Sequence, residues 1–515
     1  MPAPRLRSIH FALAAGVAGV AGCAAGPNYH TPPPDAPAQF AAAAPASASP
    51  SGKAAQTPAP DLTVWWKALD DPELDSLVER AIRSNLDLEI ALNRLQQART
   101  YEAVVLGHAL PEVDASAAAA KGTGSDLMRG RAAQSLVSAD NTSGIQHINE
   151  IGGFDAVWEL DVFGKYRRQF EAARADMQAA AAARNGVLIS VVADVVRAYV
   201  DLRGFQTEVG VLRQASDVLR ESLRIVNIRY QRGITNELDV ALATRELDTF
   251  QAQIAPLQAQ ASAAEYALAV LVGEYPENML QELSTPALIP SMPPPVAPGV
   301  PLDILKRRPD VGEAERRLAA ATARIGVATA ALYPQVALVG AIGEQAQGLG
   351  TAPDISKHIW SFGPAALWPL LDFGALDAEV DISHLEAHAS LAAYRRTILS
   401  AVEEVDAALD AYSAQQDRLK NLGDAMIAGQ RAVDLATERY DRGLTDFLNV
   451  VDAERQFYDL QEEYARAQVA QGEEFAQLYK SLGGGWQNYQ SIPPIRRPQP
   501  AIIAAFRRAL TSSAP

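Results

Sequence analysis

The segments RYQRGITNELDV (229–240) and RYDRGLTDFLNV (439–450) are two versions of one piece of chain, 210 positions apart. Over 229–246 against 439–456, nine of eighteen positions are identical, among them Arg229/Arg439, Tyr230/Tyr440, Gly233/Gly443 and Thr235/Thr445. At the same offset Trp158 meets Trp368, Phe163 meets Phe373, Gly164 meets Gly374 and Gly273 meets Gly483. A match that spans hundreds of residues marks a duplicated, domain-sized unit and not a short solenoid repeat. Whatever the first half of these 515 residues builds, the second half must build again.

The repeated unit is mostly helix. No proline occurs between Pro111 and Pro256 or between Pro369 and Pro493. Leu188, Val191, Val195, Ala198, Leu202, Phe205, Val209 and Leu212 step by three and four, a heptad seam that predicts a helix packed along a partner. The second copy keeps Ile398, Ala401, Val405, Ala408, Tyr412, Leu419 and Leu422. Gly233 and Gly443 suit the left-handed position that ends a helix after basic residues. Thr235 or Asn236, and Thr445 or Asp446, can cap the next one. Each repeated segment therefore reads as the tip of a helical hairpin, with returning helices over about 236–272 and 446–482. Pro256 is expected to kink the first.

A period of two flanks the long helices. In FDAVWELDVF (154–163) apolar residues alternate with Asp155, Glu159 and Asp161, and PEVDASAAAA (111–120) alternates likewise. PQVALVGAIG (334–343) and FGPAALWPLL (362–371) repeat the pattern more weakly. These are strands with one apolar and one polar or small face, the length and alternation of transmembrane barrel strands or of a half-buried soluble sheet. The segments 121–153 and 344–361 read as loops. Four strands cannot close a barrel, and an open edge in lipid leaves backbone groups unpaired, so a membrane reading forces several chains together.

The ends of the chain carry their own signals. Arg5 and Arg7, the apolar run 11–21 and VAGC (20–23) form an export signal too short to span a bilayer. VAGC resembles a bacterial lipobox, which implies cleavage before Cys23, diacylglycerol on its sulfur and acylation of the new amine. Ala24 follows, so outer-membrane sorting is expected. Residues 31–60, rich in Ala, Pro and Ser, form a tether without a core. The net charge of −16 argues against nucleic acid as a partner. A single cysteine excludes an intrachain disulfide.

Taken together, AGCAAGPNYHTP (21–32), WELDVFGKYRR (158–168), RRPDVGEAERRLAAATARIGVA (307–328), LYPQVALVGAIG (332–343), RYDRGLTDFLNVVDAERQ (439–456) and SLGGGW (481–486) resemble the outer-membrane factor family. These are TolC-like channels, and the likeness is strongest to the lipidated OprM-like branch that serves RND pumps. The resemblance implies a mainly α fold with a β-barrel part. It implies a homotrimer whose twelve-stranded outer-membrane barrel, four strands per chain, continues into a periplasmic α-helical coiled-coil barrel. The expected organisation is a signal peptide (1–22), a lipidated tether (23–63), a first repeat (64–276) and a Pro-rich equatorial segment (277–308). A second repeat (309–486) and a C-terminal tail (487–515) follow; Arg496, Arg497, Arg507 and Arg508 in the tail receive no role.

Such a duct performs no chemical step and needs no cofactor beyond the lipid on Cys23. Carried over from the family, the periplasmic constriction falls on Leu448 and Asp452, with Asn449 where some relatives have a second Asp. Three copies of Asp452 would attract cations, while Asn449 makes the constriction less charged. The tips, Arg229, Tyr230, Gly233 and Thr235 with Arg439, Tyr440, Gly443 and Thr445, are the expected docking surface for a periplasmic adaptor, with an inner-membrane RND transporter beyond it. His384 and His388, at i and i+4 near Asp381, read as polar surface rather than a metal site, and no enzyme constellation stands out. Trp158 and Trp368 fit interfacial anchors. Two other readings stay open: a type I protein-secretion channel of the same fold, and a lipid-anchored periplasmic coiled-coil scaffold without a pore.

Overall fold

The computed structural model describes residues 24–34, 37–41, 61–122, 147–294, 301–348 and 355–490. The signal peptide, Cys23, most of the tether and the basic residues of the tail lie outside them. A 3-10 helix at Leu62–Leu69 leads into α1 (Pro72–Ser84) and α2 (Leu86–His108). Strands β1 (Glu112–Gly122) and β2 (His147–Leu160), the long helix α3 (Lys165–Gln231) and its returning helix α4 (Glu237–Val272) complete the first copy. Short helices α5 (Pro276–Leu283) and α6 (Pro301–Arg307) connect to the second: α7 (Pro309–Ala331), β3 (Gln335–Gly348), β4 (Ile355–Leu367), α8 (Ala375–Asp441) and α9 (Phe447–Ser481). The duplication is kept to the residue, because α3 and α8 are both 67 residues long, roughly 100 Å at about 1.5 Å per residue. Helix α4 runs unbroken past Pro256.

The strands differ in extent from their expected positions. β2 begins at His147 and stops at Leu160, because Asp161 leaves the sheet to cap α3, accepting from the amides of Tyr166 at 2.9 Å and Arg167 at 3.0 Å. Asp372 does the same for α8 through Leu376 N at 2.8 Å. β3 and β4 in turn extend into 344–348 and 355–361, residues expected to be loop. Backbone pairing carries them through Gly and Gln where side-chain alternation fades.

Two compact units form, and each draws on both copies. The first comprises residues 1–40, 97–184 and 299–404 and contains the sheet, in the order β1-β2-β3-β4, antiparallel throughout. Its helical part is held by two buried arginines. Arg168 donates to Ala25 O (3.0 Å), Gly26 O (3.2 Å) and Asn28 Oδ1 (2.8 Å), and pairs with Glu171 at 2.7 Å. Arg308 bridges Asp310 at 2.7 Å and Glu404 at 2.6 Å. Leu305, Val311, Leu318, Tyr394, Ile398 and Ala401 make an apolar cluster beside it.

The second unit comprises 41–96, 185–298 and 405–515. Its seam follows the heptad: Leu188, Val191, Val195, Leu202, Val209 and Leu212 are buried, and Ala215, Leu219 and Val226 carry the line on. Trp65 stacks on Tyr479 with ring centroids 5.2 Å apart and meets Phe475 at 5.7 Å. A Cβ at Gly485, where φ is 102°, would come within 3.2 Å of Trp65 Nε1, which explains a glycine in GGGW. Gly472 of α9 lies against Val200 of α3, letting two helices approach closely. Buried Arg203 reaches Glu73 and donates to Thr285 O at 3.0 Å.

Candidate channel wall and gate

Strand register assigns every sheet residue to a face, because directly paired residues point the same way and successive ones point oppositely. Val113 pairs with Ala156, Ala115 with Phe154, Phe154 with Ile342, and Ile342 with Trp360. Trp158 pairs with Leu338, and Gly340 with Phe362. That face is apolar from edge to edge, and it is bare: Val113, Phe154, Ile342, Trp360 and Phe362 are all more than half exposed. The opposite face carries Asp114, Asp155, Ala341 and Ser361 in one row and Glu112, Val157, Val339 and Gly363 in the next. One side suits hydrocarbon; the other carries the carboxylates of Glu112, Asp114 and Asp155 among small and β-branched residues. The Trp158 indole donates to Ala109 O at 3.0 Å and that of Trp368 to Leu332 O at 3.1 Å, each tying a strand end to the start of its neighbour.

The hairpin tips obey one local rule in both copies. Ile234 N donates to Arg229 O and Gly233 N to Tyr230 O, each at 2.9 Å; Leu444 to Arg439 and Gly443 to Tyr440 repeat both bonds at 2.9 Å. Gly233 and Gly443 hold φ of 72° and 69°, where an L side chain is strained. Asn236, not Thr235, caps α4 by accepting from Asp239 N at 3.2 Å, while the Thr235 hydroxyl bonds the Asp239 carboxylate. Asp446 sits at the N-cap of α9 without a side-chain cap. Thr445 instead accepts from the Asn449 amide at 2.7 Å.

Identical letters then take different places. Tyr440 is buried and lies beneath the Arg229 guanidinium at 4.4 Å, whereas Tyr230 and Arg439 are exposed. Burial raises the Tyr440 hydroxyl above its usual range.

On α9, helical periodicity separates two faces. Phe447, Val450, Val451, Glu454 and Tyr458 are buried. Leu448, Asn449 and Asp452 line the exposed face together, with Asp452 held by Arg455 at 2.8 Å and Gln456 at 2.7 Å. The residues expected at the constriction thus share one bare stripe just past the tip. His384 and His388 are exposed on α8, and among the described residues no group of three or more metal-ligating side chains converges.

Two buried acids near the tip carry no signature in the sequence. Glu246 on α4 and Glu454 on α9 are 3 % and 5 % exposed, and each has a carboxylate oxygen without a hydrogen-bond partner. Burial, with the charge of Glu246 adding to it, pushes Glu454 up to about 7.

With this geometry in place, comparison with known proteins identifies the chain. The model of the family described as outer membrane efflux protein matches residues 77–274 and 300–484. Nodulation protein T of Rhizobium leguminosarum bv. trifolii is 30% identical over 91% of this chain and 95% of its own length. The pyoverdine export outer membrane protein OpmQ of Pseudomonas aeruginosa is 30% identical over 84% and 90%. Among solved structures, the outer-membrane channel OprN superposes with a TM-score of 0.79 at 35% identity, over 90% of this chain and all of that one. The open-state MtrE channel of Neisseria gonorrhoeae, at 24% identity and a TM-score of 0.74, shares the fold. The chain belongs to the outer membrane efflux protein family and is an outer-membrane efflux channel of TolC-like, mainly α fold with a β-barrel part.

Proposed function

We propose that three copies of this chain assemble into a lipid-anchored exit duct of a tripartite RND-type pump. It passively conducts small molecules out of the periplasm through a gate at the hairpin tips. The observation that carries this reading is a four-stranded sheet with, among the described residues, two unpaired edges and a bare apolar face. In hydrocarbon each unsatisfied backbone group costs several kcal/mol, so the edges must find partners.

The duplication indicates which partner. Each β1 residue has its counterpart 223 positions later in β3, and each β2 residue its counterpart 210 positions later in β4. Under these shifts the pair Glu112 with Val157 becomes Gln335 with Leu367, the pair observed at the end of β3–β4. β2 pairs with β3 as far as Leu160 with Val336, yet β4 stops at Leu367, three residues short of the counterpart of Leu160. The same shifts set Leu370 against Val113, the open-edge residue of another copy. Leu370 and Val113 are 72% and 62% exposed, and Phe373 and Leu110, counterparts of the stacked pair Phe163 and Tyr333, are 98% and 57%. A second copy would cover all four. Three copies of four strands close a barrel without edges.

Leu448, Asn449 and Asp452 would then ring the three-fold axis, and the tips Arg229–Thr235 and Arg439–Thr445 would meet the periplasmic adaptor. Relatives named for pyoverdine export and for solvent and toluene efflux support an efflux cargo over a secreted protein. The lipobox at Cys23 supports the lipidated branch. Light scattering of detergent-purified protein together with planar-bilayer recording tests the core of this reading. Trimers that conduct are expected; monomers without conductance would return the chain to a scaffold role.

A further inference from the structure

The buried carboxylates of Glu246 and Glu454 sit where a coiled-coil core should be apolar. Glu246 follows Ala243 and precedes Leu247 and Phe250, all buried; Glu454 lies between buried Val451 and Tyr458. The pair thus separates two apolar layers, one of Val226, Ala243, Phe447, Val450 and Val451, the other of Leu219, Leu247, Phe250 and Tyr458. Among the described residues one ion pair meets these two acids, and it goes to Glu246. Arg245 reaches Glu246 only at 3.4 Å from a largely exposed position, and no ion pair to Glu454 is present among the described residues. From α3 the Ser222 hydroxyl bonds Glu454; from α4 come Glu246 and Arg245; from α9 comes Tyr458, itself raised by burial and by the Glu454 charge. Helix α8 enters this region through Ala436 and Tyr440.

Two carboxylates in such a site cannot both ionise cheaply, because desolvation and mutual repulsion act in the same direction. A single proton on Glu454 resolves the conflict, since it removes one of the two like charges. We propose that Glu454 holds a buried proton beside Glu246 and that this proton latches the two returning helices, α4 and α9, behind the constricting face of α9. Loss of that proton sets two like charges against each other between the helices and loosens the tip. Glu454 lies one half-turn from Asp452, so movement of α9 at this level moves the exposed stripe with it. The latch rests on the channel reading for its consequence, but the proton itself does not.

Purified protein reconstituted in planar bilayers, recorded from about pH 5.5 to 8.5, tests both parts. Conductance is expected to rise severalfold with a midpoint near pH 7. E454Q, which imitates the protonated acid, should hold the low-conductance state across the range, and E246Q should move the midpoint to lower pH. D452N should change conductance at every pH while leaving the midpoint in place. Infrared difference spectra supply a readout independent of folding in the bilayer: native protein minus E454Q should show a buried carboxylic acid band that vanishes near pH 7, with Asp201 common to both proteins. Absence of that band at pH 5.5 would overturn the buried proton. So would a pH step that survives in E454Q and disappears in D452N, or a midpoint that follows calcium concentration instead of pH. A protein silent at every pH that still shows the band would refute the channel and leave the proton on Glu454 standing.

Discussion

The Arg229 guanidinium lies 4.4 Å from the centre of the Tyr440 ring, joining the end of α3 to the end of α8 one turn before both tips. Asp441 stands 3.9 Å from the same guanidinium, and Tyr440 packs on Phe447 at 5.3 Å. The Tyr440 hydroxyl is buried without a hydrogen-bond partner, so the ring and not the phenol makes the contact. A partly buried cation–π pair contributes about 1 kcal/mol. Arg229→Ala and Tyr440→Leu should each ease opening of the tip and raise conductance about fivefold, whereas Tyr440→Phe should leave it unchanged. Single-channel recording of the three variants checks this; a large effect of Tyr440→Phe would assign the contact to the hydroxyl.

Asp452 is exposed and bound by Arg455 and Gln456 of its own helix. Surface pairs of this kind add well under 1 kcal/mol to stability. Asp452→Ala should therefore leave assembly intact while enlarging conductance and weakening cation preference, and Arg455→Ala, which frees the carboxylate, should strengthen that preference. Reversal potentials in a salt gradient measure both. Unchanged selectivity in Asp452→Ala would remove this residue from the constriction.

Much of this organisation was legible in the sequence, for physical reasons that differ by element. The glycines at 233 and 443 were readable because their left-handed conformation is a local demand that only the backbone sets. The seam from Leu188 to Leu212 was readable because burial along two helices follows the heptad. Glu246 and Glu454 were not, since TRELD and DAERQ place an arginine beside each acid and so resemble solvated helix surface. Burial of those acids comes from a third helix that no local pattern announces. Tyr230 and Tyr440 make the same point: one letter, one motif, and opposite exposure decided by packing between the copies.

If β4 pairs with β1 of a neighbouring copy in the register set by the duplication, Val113 and Leu370 lie directly opposite, with Cβ atoms about 5 Å apart. Within one chain two strands intervene, so they cannot meet. A protein carrying Val113→Cys and Leu370→Cys should form covalent trimers on oxidation; Cys23 is the only native cysteine. Ala115→Cys with Leu370→Cys, shifted by two residues, should react at least tenfold more slowly. Pro364 and Pro369 each lack a donor, but at an odd spacing their N–H directions oppose, so only one weakens this seam. Trimers by light scattering with faster bridging of the shifted pair would reject the register alone, and a monomer would reject the assembly as well.

Asp201 of α3 is half buried beside Glu473 and Arg197, and burial with the Glu473 charge pushes it up to about 6, outweighing Arg197. Its folded-state value lies above that of the unfolded chain. Its stabilising contribution is therefore complete below about pH 4 and is lost as pH rises through about 6. Asp201→Asn should consequently stabilise the protein above pH 6 and bring nothing at pH 4. Two units would correspond to about 3 kcal/mol. Solvent reaches much of this side chain, so about 1 kcal/mol is the expected gain. The unfolding temperature of the purified protein at pH 4 and pH 8 reads the difference directly: a gain confined to the higher pH is expected, and an equal gain at both would mean that packing, not charge, sets the cost of Asp201.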